Sequence, residues 1–143
     1  MPFDPTATDW IGQEFATFAQ GTKIVKVPLA AVDTAGGVFA WANPEPGPIA
    51  VTKVVLDVTT VATGACTLDI GTTAANATTL SDNLIDGPDV HTAVITTDNI
   101  KDAGTNGKSI QHLASGKWVT GSMASGATAG LVGNAYIHYQ VLF

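Results

Sequence analysis

Arginine is absent from this sequence of 143 residues, and its six lysines are outnumbered by twelve acidic residues, giving a formal net charge of −6. Proteins that bind nucleic acids carry basic patches and commonly use the forked guanidinium group of arginine to contact phosphate and guanine. This chain offers neither. The composition therefore predicts that the protein does not bind DNA or RNA directly.

The chain has a single cysteine, Cys66, which excludes an intrachain disulfide framework. Cys66 begins the apolar alternation Cys66, Leu68, Ile70, which predicts a core thiol. Long apolar runs are missing as well, so no membrane partner is expected. The segment Met1–Pro5 lacks the basic and apolar regions of a secretory signal. We therefore expect a protein made in a cytoplasm and kept soluble there, unless a lysed cell releases it.

Catalytic patterns are equally scarce. His91, His112 and His138 lie far apart and form no paired ligand spacing. No Gly-x-Ser-x-Gly elbow is present to hold a nucleophilic serine. The two glutamates, Glu14 and Glu45, lie near the N-terminus and in a proline-rich loop, which are poor places for a glycosidase acid. The sequence predicts no enzyme, no cofactor and no metal site.

One stretch resembles a phosphate-binding loop at first sight, namely Gly104–Ser109. Such a loop needs a glycine five residues before its glycine–lysine pair, because backbone amides must surround the phosphates. Asp102 holds that position and would repel the ligand. The pattern instead predicts a β-turn built on Asn106-Gly107.

A second stretch, Asp82–Gly87, approaches the start of a calcium-binding loop within a wider group of aspartates. It departs from the motif because Leu84 stands where an oxygen ligand belongs, and no glutamate follows at the required distance. We interpret these aspartates as turn-formers and capping residues.

The length suits one domain, and from Lys23 onward the apolar residues recur at every second position. This pattern, rich in β-branched residues and broken by clusters such as Gly36-Gly37 and the proline-rich 43–48, is typical of half-buried strands. It predicts an all-β, jelly-roll-like β-sandwich over residues 23–143. The alternating inner positions are Val25, Val27 and Leu29, then Val54, Leu56 and Val58, then Leu68 and Ile70.

Residues 71–117 follow the alternation less clearly. A short helical turn is expected around Leu80–Ile85, stopping at Gly87-Pro88. Short strands are expected at Val94-Ile95 and at Ile110–Leu113.

Residues 1–22 differ from the rest and are interpreted as an N-terminal arm. Asp9 is suited to cap a short helix whose Ile11, Phe15 and Phe18 share one face, although Gly12 weakens that helix. The same residues are also compatible with an extended arm carrying aromatic anchors. Two interpretations stay open, packing on the parent domain and binding of a partner. The large apolar residues concerned are Phe3, Trp10, Ile11, Phe15 and Phe18.

The C-terminal stretch has no charged residue after Lys117. Its apolar positions alternate from Leu131 to Phe143, and Asn134, Tyr136, His138 and Gln140 occupy the other face. An exposed edge strand normally carries charges or proline that block wrong pairing. This strand is therefore expected to be central in a sheet, or else covered by another subunit.

Three stretches resemble the head-decoration (cement) proteins of tailed bacteriophages that have a jelly-roll fold. Pro48–Gly71 looks like their paired strands, Thr79–Gly87 like their connecting excursion, and Gly121–Tyr139 like their last hairpin. The resemblance covers roughly residues 48–143 and leaves the arm outside it. It implies a homotrimer on the outer surface of the virion capsid, bound to the major capsid protein, which stabilises the head by bridging capsid subunits.

The hypothesis at this stage is a non-catalytic capsid decoration protein whose arm contacts the shell or a neighbouring protomer through Phe3, Trp10, Ile11, Phe15 and Phe18. The alternative is a receptor- or carbohydrate-binding β-sandwich of a phage fibre or tail tip. In that case Trp41, Trp118, Tyr136 and Tyr139 would form an aromatic platform for sugar rings. A neck or tail-tube component is a third interpretation.

Overall fold

The computed structural model describes residues 21–30, 37–76, 80–101 and 103–142. Within these ranges the chain forms nine β-strands and no helix, so none of the described segments is a helix that could span a membrane. The prediction of an all-β protein is confirmed. The strands are β1 Lys23–Pro28, β2 Gly37–Ala42, β3 Ile49–Thr60, β4 Cys66–Thr73, β5 Ile85–Asp89, β6 Thr96–Asp98, β7 Gln111–Leu113, β8 Trp118–Gly126 and β9 Val132–Val141.

The strands form two antiparallel sheets. Sheet A has the order β1-β9-β3, and β6 and β7 pair one after the other with the far side of β3. Sheet B has the order β2-β8-β4-β5. Because most consecutive strands change sheet, the two layers are joined by repeated crossings, which is the arrangement of a double-sheet jelly roll. The predicted jelly-roll-like sandwich is confirmed.

The core lies between the two sheets and is formed by alternate positions of the strands. In β3, Val54, Leu56 and Val58 are buried, while the residues between them face outward. In β4 the inward positions are Cys66, Leu68 and Ile70. The predicted alternation is therefore confirmed in both sheets, and Cys66 is a core residue. Burial raises the pKa of its thiol, which keeps the thiol protonated and unreactive.

The charge-free C-terminal strand β9 lies between β1 and β3. It pairs with β1 from Lys23↔Tyr139 to Pro28↔Asn134 and with β3 along its whole length. The edge of sheet A next to it is β1, which carries Lys23, Lys26 and Pro28. Lysine and proline are the residues that protect an exposed edge from wrong pairing. Of the two arrangements expected for the C-terminal strand, the central position is the one found.

The predicted helical turn at Leu80–Ile85 is wrong. Residues 80–84 are irregular and β5 begins at Ile85, with Leu84 and Ile85 fully buried. The amide of Leu84 donates to the carbonyl of Ile70, so pairing with β4 determines this segment rather than local helix propensity. Gly87-Pro88 does not end a helix but lies inside β5, where Gly87 adopts a φ of +70°.

Two smaller predictions are shifted along the chain. The strand expected at Val94-Ile95 is β6 at Thr96–Asp98, and the strand expected at Ile110–Leu113 is β7 at Gln111–Leu113. The turn expected on Asn106-Gly107 instead spans residues 104–106, and Gly104 has the left-handed φ of +72°.

The strands within Pro48–Gly71 and Gly121–Tyr139 are not paired as the resemblance implied. β3 lies in sheet A and β4 in sheet B, and likewise β8 and β9 belong to opposite sheets. Alternation shows which side chains point to the core, but it does not identify the neighbouring strand, because both sheets bury one face against the same core.

We expect the core to be sensitive and the exterior tolerant to loss of a leucine side chain. Leu56→Ala removes a fully buried side chain of β3 and should lower the free energy of unfolding by about 2–5 kcal/mol. Leu80→Ala removes a side chain that is 55% exposed, so its effect should stay within about 0.5 kcal/mol. Urea denaturation measures both, and equal losses for the two variants would contradict the position of the core.

Candidate interaction surface

Exposed apolar side chains concentrate on sheet A and on the segments next to its strands. Among the described residues, seven large apolar side chains are exposed, and all but Leu80 belong to sheet A or to segments that flank its strands. Single exposed apolar residues are common on protein surfaces, whereas a concentration on one layer indicates a contact surface. The six are Ile24, Val94, Ile100, Ile110, Val132 and Leu142.

The outer face of sheet A is arranged in rows that run across the strands. One row consists of Lys26 on β1, Tyr136 on β9, Val55 on β3 and Asp98 on β6, because these residues pair from strand to strand. The rows on either side follow from the same register. In one of them Ile24, His138 and Lys53 lie side by side, and in the other Pro28, Asn134, Asp57 and Thr96 do so.

The charges of this face are positioned by hydrogen bonds. Asp98 Oδ1 accepts the amides of Ile100 and Lys101, both at 2.8 Å, and Asp98 Oδ2 lies 3.4 Å from Lys53 Nζ. The amide of Lys101 contributes most to lowering the pKa of the Asp98 carboxyl, so this group is ionised at neutral pH. Burial, followed by the nearby Lys53, lowers the pKa of His138, which is therefore neutral under the same conditions.

Asn99 holds the exposed isoleucines at the β6–β7 edge. Its side chain is buried at 1% exposure, and its Oδ1 accepts the amide of Val54 at 2.6 Å. Its Nδ2 donates to the carbonyls of Lys108 and Ser109 at 2.9 and 2.8 Å. Ile100 follows Asn99 and Ile110 follows Ser109, so this one side chain fastens both isoleucine-bearing segments to β3.

A polar cluster at one end of the sandwich joins the proline-rich loop to sheet A. Glu45 Oε1 accepts hydrogen bonds from Lys23 Nζ at 2.6 Å and from the Tyr139 hydroxyl at 3.1 Å. The ring of Tyr139 is 5.2 Å from that of Trp41, centroid to centroid, and the two planes are tilted by 49°. These interactions hold Glu45 as a structural residue with its carboxylate engaged.

The aromatic platform of the carbohydrate-binding alternative is not formed. Tyr139 is only 6% exposed and, with Trp41, packs against the core. Tyr136 lies on the outer face of sheet A, and Trp118 belongs to β8 of sheet B on the face opposite to the buried Val119. Four aromatic side chains divided among different surfaces cannot stack on one sugar chain.

The loop that resembled a phosphate-binding loop binds a carboxylate of the protein itself. The amides of Thr105 and Asn106 donate to Asp86 Oδ2 at 3.1 and 2.9 Å. Asn106 Nδ2 donates to Asp82 Oδ2 at 2.8 Å. The amides that an external anion would need are therefore already engaged by Asp86. Asp102, expected to repel such a ligand, lies outside the described residues.

The aspartates of the calcium-like stretch also serve the fold. Asp69, buried on β4, accepts the amide of Gly87 on Oδ1 at 3.0 Å. Burial is the main cause that raises the pKa of Asp69, and the negative charges of Asp82 and Asp86 act in the same direction. Within the described part of the chain, no group of three or more His, Cys, Asp and Glu side chains is arranged to hold a metal ion.

The arm residues predicted as contacts, Phe3, Trp10, Ile11, Phe15 and Phe18, lie outside the described residues. The surface features of sheet A were not identified from the sequence. Ile24 was not singled out by the alternation of Val25 and Val27, and Ile110 was assigned to a strand. A signal that was available is the Asp98-Asn99 pair between apolar segments, since both residue types favour turns.

Comparisons with known proteins found one structural likeness. No protein-family model and no curated protein sequence matches the chain. Among solved structures, the chain is similar to a chain of the acidic stable capsid structure of Helicobacter pylori bacteriophage KHP30, with 16% identity. The match covers 85% of this chain and 88% of that chain, with a TM-score of 0.45. At this score the likeness establishes neither a shared fold nor a shared role.

Removal of the Asn99 side chain should loosen the β6–β7 edge. Asn99→Ala leaves the buried amide of Val54 and two carbonyls without this partner, and we expect a loss of about 2–4 kcal/mol in the free energy of unfolding. Asn106→Ala removes one exposed hydrogen bond and should cost less than about 1 kcal/mol. Hydrogen exchange of the Val54 amide provides a local measurement. Unchanged protection in Asn99→Ala would contradict the role of this side chain.

The carboxylate of Asp69 should oppose folding at neutral pH. Its pKa is raised in the folded state, so the folded protein binds more protons than the unfolded chain between the ordinary Asp pKa and the raised value, and stability falls as pH rises through that window. Asp69→Asn should therefore unfold at a higher temperature than the parent at pH 7, and this advantage should shrink below the ordinary Asp pKa. Calorimetry of both proteins at pH 7 and at a pH below the ordinary Asp pKa measures the difference between their unfolding temperatures. An advantage that is the same at both would assign the gain to another cause.

Proposed function

We propose that the chain is a non-catalytic structural protein of a tailed-bacteriophage virion, specifically a decoration (cement) protein. It binds the outer surface of the capsid after synthesis in the host cytoplasm. Its partner is the major capsid protein, and its role is to stabilise the head by bridging neighbouring capsid subunits. It acts as a homotrimer.

The observation that carries the proposal is the strand order of the two sheets, β1-β9-β3-β6 and β2-β8-β4-β5. This is the jelly-roll class that the sequence resemblance to head-decoration proteins implied. The strand order also includes β1 and β2, which lie outside the residues 48–143 that carry the resemblance.

A fold does not determine a function, so the surface has to support the same role. Sheet A and the segments that flank its strands carry six exposed apolar side chains, and long antiparallel pairings hold this layer together. A rigid layer with apolar contact points suits a protein that stabilises an assembly by binding to it. The polar side chains that most resembled a reactive site, Glu45 and Asp86, are engaged in hydrogen bonds inside the molecule.

The proposed capsid contacts are the arm residues Phe3, Trp10, Ile11, Phe15 and Phe18. The arm precedes β1, so it is attached to the edge strand of sheet A. It carries three acidic residues and no lysine, which favours a partner surface with basic residues. Twenty residues reach at most about 70 Å when extended, which exceeds the diameter of about 30 Å of a small domain.

Deletion of residues 1–20 should abolish binding to phage heads while the β-domain stays folded. Purified full-length and truncated proteins are mixed with empty heads and sedimented, and circular dichroism verifies the fold of each. Full-length Leu80→Ser serves as a control with one exposed apolar side chain removed outside sheet A. Full decoration by the truncated protein would show that the arm is not the contact. Failure of the full-length protein to sediment with heads would overturn the proposed function itself.

A further inference from the structure

We infer that the two edges of sheet A bind each other between copies of this chain, so that β1 of one copy adjoins β6 of the next. The inference rests on the homo-oligomer of the proposed function and names the surface that forms it. It follows from three properties of the two edges, namely their exposed apolar side chains, their matching heights along the strands and the position of one charge on each.

Both edges expose an isoleucine to a similar extent. Ile24 on β1 is 61% exposed, and Ile100 after β6 is also 61% exposed. Ile110, which Asn99 fastens next to the same edge, is exposed to the same degree. These isoleucines lie beside charged residues at both edges, and apolar and charged side chains together on one edge suit a specific contact.

Each isoleucine lies two residues from the row that contains Lys26 and Asp98, and both lie on the same side of that row. Ile24 pairs with His138, and His138 pairs with Lys53 of β3. On the far side Asp98 pairs with Val55 and the amide of Asn99 donates to the carbonyl of Val54, so Ile100 follows in the turn after β6, on the Lys53 side of that row. The charged residues match in the same way, because Lys26 pairs with Tyr136, Tyr136 with Val55, and Val55 with Asp98.

The strand directions allow the two edges to meet. β1, β9, β3 and β6 are successively antiparallel, so β1 and β6 run in opposite directions. Rotation about an axis parallel to the strands preserves heights and directions. It therefore brings Lys26 of one copy beside Asp98 of the next, with Ile24 and Ile100 on the same side of that pair and the two edge strands antiparallel. Contacts between different surfaces of identical chains form a closed ring when the rotation closes, and three copies give the proposed trimer.

The carboxylate of Asp98 is negatively charged and is held in a fixed position, so it can form an ion pair with a lysine of another copy. Its carboxylate is held by the amides of Ile100 and Lys101 and is ionised at neutral pH, and its side chain is still 20% exposed beside Lys53. Lys26 is exposed on the opposite edge. Lys101 lies in the same turn as Asp98, so the edge as a whole has no net negative charge. The complementarity arises because Asp98 lies in the same row of the sheet as Lys26.

Cysteine trapping tests the contact directly. The double variant Ile24→Cys/Ile100→Cys should form intermolecular disulfides under mild oxidation, giving a covalent trimer on a non-reducing gel. Each single variant should stay monomeric on that gel, because the two positions meet only each other. The native Cys66 is 3% exposed and does not compete. A covalent dimer without a trimer would indicate face-to-face packing of two sheets. The absence of any intermolecular disulfide would show that the two edges do not meet. Either result overturns the interface.

Exchange of the charges at Lys26 and Asp98 provides a second test, and its double variant controls for misfolding of the single variants. Lys26→Asp and Asp98→Lys should each lose the trimer in size-exclusion chromatography with light scattering, at a concentration where the parent has three times the 14.6 kDa mass of one chain. The double variant Lys26→Asp/Asp98→Lys restores opposite charges and should restore the trimer, which a misfolded single variant would not explain. Lys117→Asp, an exposed lysine next to sheet B, is the matched control and should remain trimeric. A double variant that stays dissociated, or a control that dissociates equally, overturns the pairing.

Sedimentation with empty heads separates this inference from the proposed function. A parent protein that binds heads as a monomer overturns the interface and leaves the decoration role standing. A trapped trimer that ignores heads supports the interface and counts against decoration.

Discussion

Sheet A depends on the pairing of β9 with both of its neighbours. This strand contributes hydrogen bonds to β1 on one side and to the twelve-residue β3 on the other. Its inward side chains Ala135 and Ile137 are fully buried, so a charge at either position would have to be desolvated without a partner. The absence of charge at these inward positions is therefore a physical requirement, and among the described residues β1 is hydrogen-bonded into the sheet through β9 alone.

The alternation of apolar residues in the sequence correctly predicted which side chains face the core. It identified the inner faces of β1, β3, β4 and β9 because a half-buried strand has a period of two regardless of its neighbours. It did not identify that β3 and β4 belong to different sheets, since both faces bury similar side chains. The failure at Leu80–Ile85 has the same origin. Pairing of Leu84 with Ile70 is a contact between distant parts of the chain, and it overrides the local signal of Gly87-Pro88.

The surface of sheet A was less predictable than its core. The row of Ile24, His138 and Lys53 joins residues from three strands that are far apart in sequence, and Ile100 lies in the turn that Asn99 fastens after β6. None of these residues differs by itself from a common surface residue. They become neighbours only through the strand register, which is established when the sheet forms. By contrast, the arm could be recognised in the sequence because its large apolar residues do not follow the alternation of a strand.

The remaining edges restrict how copies of the chain can meet. The edge strand β5 of sheet B is covered by the chain itself, since Asp86 donates its amide to the carbonyl of Ala103, and Lys108 donates to the carbonyl of Asn83. In the described part of the chain no strand lies outside β1. Two β1 edges brought together would place lysines of both copies in one contact, and like charges in such a position are unfavourable. The same lysines favour an acidic neighbour. The residues that prevent β1 from pairing with itself thus direct it toward the edge that carries Asp98, and specificity arises from repulsion as much as from attraction.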